Sequence, residues 1–187
     1  MTKIKGAIFV TATIGLLLSV SYLRAGDIVG ALAVPKPDHA VVYIEKVPGT
    51  FHGGNAKMDQ RSKVFVPYVL PVVAGATVEF HNSDNLQHNV LGVGADKFNL
   101  GSYSQGMARS NTFNKLGEIA ILCNIHPEMG AYILVLQNPY FSLLDGGGKF
   151  HIADVPPGDY VIKAWYQDKT KQQNVKVPAK GNITISF

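Results

Sequence analysis

Short β-branched and aromatic runs, each closed off by Gly, Pro, Asn or Asp, limit most strongly what this chain can become. After residue 25 no segment of useful length carries a helical period, so long amphipathic helices are not expected. The breaks are explicit at Pro35–Asp38, Gly53–Asn55, Asn82–Asp84, Gly146–Gly148 and Pro156–Gly158. Strands are predicted over Asp27–Val34, Ala40–Lys46, Tyr68–Val73, Ala76–Asn82, His88–Val93 and Glu118–Cys123. Four more are predicted over Ala131–Gln137, Lys149–Ala153, Tyr160–Tyr166 and Asn182–Phe187. Short, evenly spaced strands with such turns predict an all-β, Greek-key sandwich. With 187 residues, 47% of them apolar, the chain can build one ordinary core or two small ones.

The first 25 residues read differently. Lys3 and Lys5 precede an apolar run from Ala7 to Val20, and Ala25 offers a small residue before a cleavage point. This predicts a helical signal peptide over 1–25, with work outside the cytoplasm, as in a bacterial periplasm. An uncleaved membrane anchor is the alternative, because the apolar stretch through Leu23 approaches spanning length. Thr11, Thr13, Ser19 and Ser21 lower its hydrophobicity and favour cleavage, which leaves no membrane attachment. The same residues account for much of the formal charge of +4. Without Lys3, Lys5 and Arg24, the 17 basic residues fall to 14, against 13 acidic ones. No basic stripe with interleaved aromatics remains, and nucleic-acid binding is not expected.

An exported chain with one cysteine can form no internal disulfide, and oxidising compartments punish idle thiols. Cys123 therefore needs a chemical reason. It opens the string Cys123-Asn124-Ile125-His126-Pro127-Glu128-Met129, where thiolate, imidazole and thioether recur every three residues. Soft sulfur with imidazole selects copper, and a trigonal site takes one Cys, two His and a weak axial Met. Structural zinc would want four good donors, which a methionine does not supply. The second histidine must come from elsewhere. His88 is the best candidate: it starts a predicted strand after a turn, 35 residues before Cys123, a separation that suits neighbouring strands. His81 is the weaker competitor, because alternation from Phe80 turns its side chain outward. His39, His52 and His151 read as surface or turn residues.

These residues resemble the cupredoxins. The resemblance rests on Gly75–Asp84 as G-x-x-V-x-F-x-N-x-D, on His88–Val90 as H-N-V, and on the cysteine loop. The two-residue gaps in C-x-x-H-x-x-M are similar to the short ligand loop of amicyanins; plastocyanins have a longer one. The resemblance implies one type 1 copper ion held by His88, Cys123, His126 and Met129. It also implies outer-sphere electron transfer, with His126 as the electron port through an apolar surface. Asn89 matches the asparagine that ties the two ligand segments together, and the backbone N–H of Asn124 is a candidate donor to the sulfur. Glu128 would lower the reduction potential if shielded, or steer partners if exposed. Residues 122 and 124 are Leu and Asn, so no second copper relay is visible and no enzyme activity is expected. A copper carrier or sensor with exchangeable metal, or a protein- or glycan-binding module, are the alternatives.

The tail reads as a separate piece. Gly148–Trp165 resembles the closing hairpin of carboxypeptidase-regulatory or transthyretin-like β modules, around Pro156-Pro157-Gly158. A wider match that includes Met58–Pro67 resembles a family labelled methylamine-utilisation proteins. The expected layout is a signal over 1–25, N-terminal strands over 26–55, a copper domain over 56–137 and a β module over 138–187. Either the N-terminal strands complete the tail module, with the copper domain inserted between, or one extended sandwich holds them all. The expected partners are a redox protein donor and acceptor, by resemblance a c-type cytochrome or a dehydrogenase. A monomer is expected.

Overall fold

The computed structural model describes residues 25–187. The predicted signal peptide, apart from Ala25, lies outside the described residues. Among the described residues no helix is long and apolar enough to cross a membrane. Two strands come first, β1 (Gly26–Ala31) and β2 (Ala40–Ile44). Nine follow: β3 (Asn55–Arg61), β4 (Val64–Val66), β5 (Val69–Val73), β6 (Ala76–Asn82), β7 (His88–Gly94), β8 (Phe98–Tyr103), β9 (Ala108–Phe113), β10 (Gly117–Leu122) and β11 (Gly130–Leu136). The tail adds β12 (Phe141–Leu143), β13 (Lys149–Val155), β14 (Gly158–Tyr166), β15 (Lys169–Val177) and β16 (Ile183–Ser186). The protein is all-β.

The middle of the chain forms one sandwich from two sheets, ordered β5-β11-β10-β7-β8 and β4-β3-β6-β9. The chain crosses between these sheets at β4–β5, β5–β6, β6–β7, β8–β9 and β9–β10, the over-and-back path of a Greek key. Period-two alternation decides what is buried. In β6, Ala76, Val78, Phe80 and Asn82 point inward while Thr77, Glu79 and His81 do not. Phe80, Phe98 and Phe113 meet at ring distances of 5.5–6.5 Å, in edge-to-face or tilted arrangements that aromatic quadrupoles favour. Gly92 on β7 makes room for this cluster, since a Cβ there would meet the Phe98 ring at 2.1 Å.

Among the described residues, β1 and β2 pair only with tail strands. β1 lies between β13 and β16, and β2 between β12 and β14, which is itself edged by β15. This second sandwich has its own core, with Ile28, Ile44, Phe150, Ile152 and Ile162 among its buried residues. The tail differs from the expected hairpin at one point. The Pro156-Pro157-Gly158 turn carries the chain from one sheet to the other, so β13 and β14 do not pair. The hairpin is β14–β15, turning at Gln167 and Asp168, which adopt positive φ without a glycine to signal it. β15 (KTKQQNVKV) escapes pattern reading because it is a polar edge strand, largely exposed, and lysines are common on such edges. β3, β4, β8, β9 and β12 are likewise additional to the predicted strands; β9 (ARSNTF) buries only Phe113 fully.

Asp145 shapes the entry to β13. Its Oδ1 accepts the N–H groups of Gly147 and Lys149, both at 2.8 Å. The Lys149 N–H first, then that of Gly147, hold this carboxyl below the ordinary aspartate range. A carboxylate with a lowered native pKa contributes stability above its unfolded value of about 3.9, and loses it as pH falls through the native value. Asp145→Asn keeps the Oδ1 acceptor without the titration, so its unfolding midpoint should fall less steeply below about pH 4. Superimposable acid profiles for the two proteins would contradict this.

Candidate metal centre

Strand pairing brings the two ligand-bearing segments to one end of the middle sandwich. β7 and β10 are antiparallel neighbours, with Leu91 opposite Leu122 and Gly92 opposite Ile121. The beginning of β7 therefore lies beside the end of β10. His88 is the first residue of β7, and Cys123 follows directly on β10. Ile119 and Ile121 face the core, and Cys123 continues that inward-facing series. The loop back to β11 is closed by hydrogen bonds from Met129 N–H to His126 C=O (3.0 Å) and from Cys123 N–H to Met129 C=O (3.3 Å).

The donor atoms of His88, Cys123 and His126 all lie within 4.8 Å of one another. His88 Nδ1 is 3.0 Å from His126 Nδ1, which is 3.9 Å from Cys123 Sγ. A triangle of this size accommodates an ion at the roughly 2.0–2.3 Å distances that imidazole nitrogen and thiolate sulfur take. The chemistry of the set, two imidazoles and a thiol with a buried thioether nearby, fits copper. Met129 belongs to the same buried cluster as Cys123. His88, Cys123 and Met129 are buried, whereas His126 is half-buried and is the member of the set most open to solvent. His81 is not part of the cluster: it sits on the outward side of β6 and pairs with Glu79.

Besides its 3.9 Å contact with His126 Nδ1, the sulfur accepts a backbone hydrogen bond, from the Asn89 N–H at 3.4 Å. This differs from the expected donor, Asn124, which is exposed. Asn89 does tie the two segments, but through its backbone. Its side-chain amide donates instead to Asn99 Oδ1 on β8, at 2.8 Å. Glu128 is exposed.

Asp84 is the residue that sequence reasoning missed. Its Oδ2 lies 2.8 Å from His88 Nε2 and accepts the Lys63 N–H at 2.8 Å, while Oδ1 accepts the Ser62 N–H at 2.6 Å. Partial burial raises its carboxyl pKa. The Lys63 N–H, the His88 ring and the Ser62 N–H together outweigh this and hold it below the ordinary value. The four-residue spacing from Asp84 to His88 is visible in the sequence, but only the folded turn shows that the two side chains meet.

No family model and no curated protein matches the chain. Similar solved structures include a purple cupredoxin from Nitrosopumilus maritimus at 20% identity, covering 43% of this chain and 98% of that one, with a TM-score of 0.40. An oxidized amicyanin variant is similar at 27% identity, over 44% of this chain and 82% of that one, with a TM-score of 0.41. A copper-containing nitrite reductase from Thermus scotoductus SA-01 is similar at 24% identity, over 58% of this chain, with a TM-score of 0.43. The match spans 28% of the reductase's length.

Proposed function

We propose that this protein is an exported, single-copper electron carrier of the cupredoxin kind, whose ion is held by His88, Cys123, His126 and Met129. The observation that carries the reading is the convergence of two imidazole nitrogens and one thiol sulfur at the end of a packed β-sandwich. When bound, copper supplies one-electron chemistry through its Cu(I)/Cu(II) couple. The chain's own residues do the rest. His88 at the start of β7 and Cys123 directly after β10 are fixed by the pairing of those strands, which would keep the donor geometry similar in both redox states. Burial of His88, Cys123 and Met129 keeps water from their donor atoms. His126 is the route outward, and the two loops that present the histidines also expose Leu86 and Ile125. An apolar rim of this kind suits brief docking of a redox protein, and the exposed Glu128 adds a charge that steers its approach. A c-type cytochrome or a dehydrogenase is the proposed class of partner.

The test is to load the purified protein with Cu(II) and record visible absorption and electron paramagnetic resonance through cycles of reduction and reoxidation. The expected result is an intense thiolate-to-copper band that bleaches and returns, without catalytic consumption of oxygen or nitrite. Absence of the band from the wild-type protein would refute the reading. Turnover of either substrate would point to an enzyme, and loss of the metal at each reduction to a copper carrier.

A further inference from the structure

We propose that Asp84 is a positioning residue for this centre, acting through His88 as the middle link between the Ser62–Lys63 turn and the metal-facing nitrogen. The proposal rests on the reading of the cluster as a copper site. His88 is fully buried, and a buried imidazole needs partners for its polar atoms. Its Nε2 has one in Asp84 Oδ2 at 2.8 Å. An ionised carboxylate only accepts, so the proton must sit on Nε2. That choice leaves the Nδ1 lone pair directed at His126 and Cys123, the tautomer a metal-binding nitrogen requires.

Asp84 is itself held from both sides. Ser62 and Lys63 adopt left-handed φ of 55° and 57°, and their successive N–H groups each bind one carboxylate oxygen. Consecutive amides presented this way form a concave anion cradle. Asn82 fastens the other end: its Oδ1 accepts the Asp84 N–H, and its Nδ2 donates to the carbonyls of Leu86 and Tyr103. The segment from residue 82 to 88 is thereby closed on itself and tied to β8. The two histidines differ sharply in consequence. His88 is buried and pinned by a charge, while the hydrogen bonds of His126 among the described residues involve only its Nδ1.

The chemical consequence follows from polarisation. A carboxylate accepting the Nε2 proton makes the imidazole a stronger donor, and a stronger donor stabilises Cu(II) more than Cu(I). Asp84 should therefore lower the reduction potential and slow loss of Cu(II). Substitutions of such outer partners weaken metal binding by about 10–100-fold.

Two measurements test this. In the wild-type protein loaded with Cu(I), nuclear magnetic resonance should show the His88 proton on Nε2, exchanging more slowly than that of His126. A proton on Nδ1, or equally fast exchange at both rings, would overturn the proposal without any substitution. Asp84→Asn should keep the visible band, bind Cu(II) about tenfold or more weakly, and lose little Cu(I) affinity. Each tenfold difference between the two states raises the potential by about 59 mV. An unchanged potential in a variant with the wild-type band overturns the role of Asp84 and leaves the copper reading standing. A wild-type protein without the band fails the copper reading itself. Should Asp84→Asn not fold, the exchange measurement decides alone.

Discussion

Replacing Cys123 with serine is expected to abolish the visible charge-transfer band of the copper-loaded protein and to weaken Cu(II) binding by orders of magnitude. The band needs a thiolate bonded to the metal, and a serine hydroxyl is neither soft nor ionised near neutral pH. Two histidines and a thioether would remain, a set with no strong anionic donor. The fold should survive. Serine is close in size, and β10 is held on both sides by β7 and β11. The cost is a buried hydroxyl where the Asn89 N–H now meets sulfur, about 1–3 kcal/mol if the hydroxyl is poorly satisfied. Copper titration followed by absorption checks the site, and far-ultraviolet circular dichroism checks the fold. A band that persists in the serine protein would show that the sulfur is not a ligand.

The largest effect on stability is expected from Trp165→Ala. Trp165 is 2% exposed and lies where the two sandwiches meet, with Val41 from the tail unit and Val69, Leu134 and Leu136 from the middle one. Its ring meets Tyr132 edge-on at 5.1 Å, and its Nε1 donates to Glu118 Oε2 at 2.7 Å. Truncation removes the apolar contacts, opens a cavity and strips a partly buried carboxylate of its donor. The expected loss is about 3–5 kcal/mol. Each sandwich keeps its own core, so the loss should fall on the coupling between them. Denaturant unfolding should then split, with circular dichroism and the visible band of the copper form reporting different midpoints. A single transition at the wild-type midpoint would mean that Trp165 contributes nothing to the union. Because it is the only tryptophan, tryptophan fluorescence cannot follow the variant.

Much of the fold was legible because period-two alternation shows wherever one face is buried. β6 follows its predicted limits, and β7, β10 and β11 lie within a residue or so of theirs. The strands that escaped notice are those in which burial is slight or the inward residues are polar. β3 buries Gln60, whose amide donates to the hydroxyl of buried Tyr103 at 2.6 Å, and no hydrophobic pattern announces such a pair. The turns Ser62–Lys63 and Gln167–Asp168 hold positive φ without glycine, so local chemistry gave no warning of them.

The sequence by itself determined the class of chain and singled out the candidate donors of one loop: turn residues at regular intervals dictate short strands, and Cys123, His126 and Met129 recur every three residues. Those features are local, and local features survive in one dimension. Only the tertiary structure decided which strands share a sheet, that the first two belong with the tail, and that His88 rather than His81 faces the cysteine. It alone brought Asp84 against the remote nitrogen of His88 and set the Asn89 amide on the sulfur. Contacts between segments tens of residues apart depend on register and on the direction of each side chain, which the pairing of β7 with β10 and of β3 with β6 establishes.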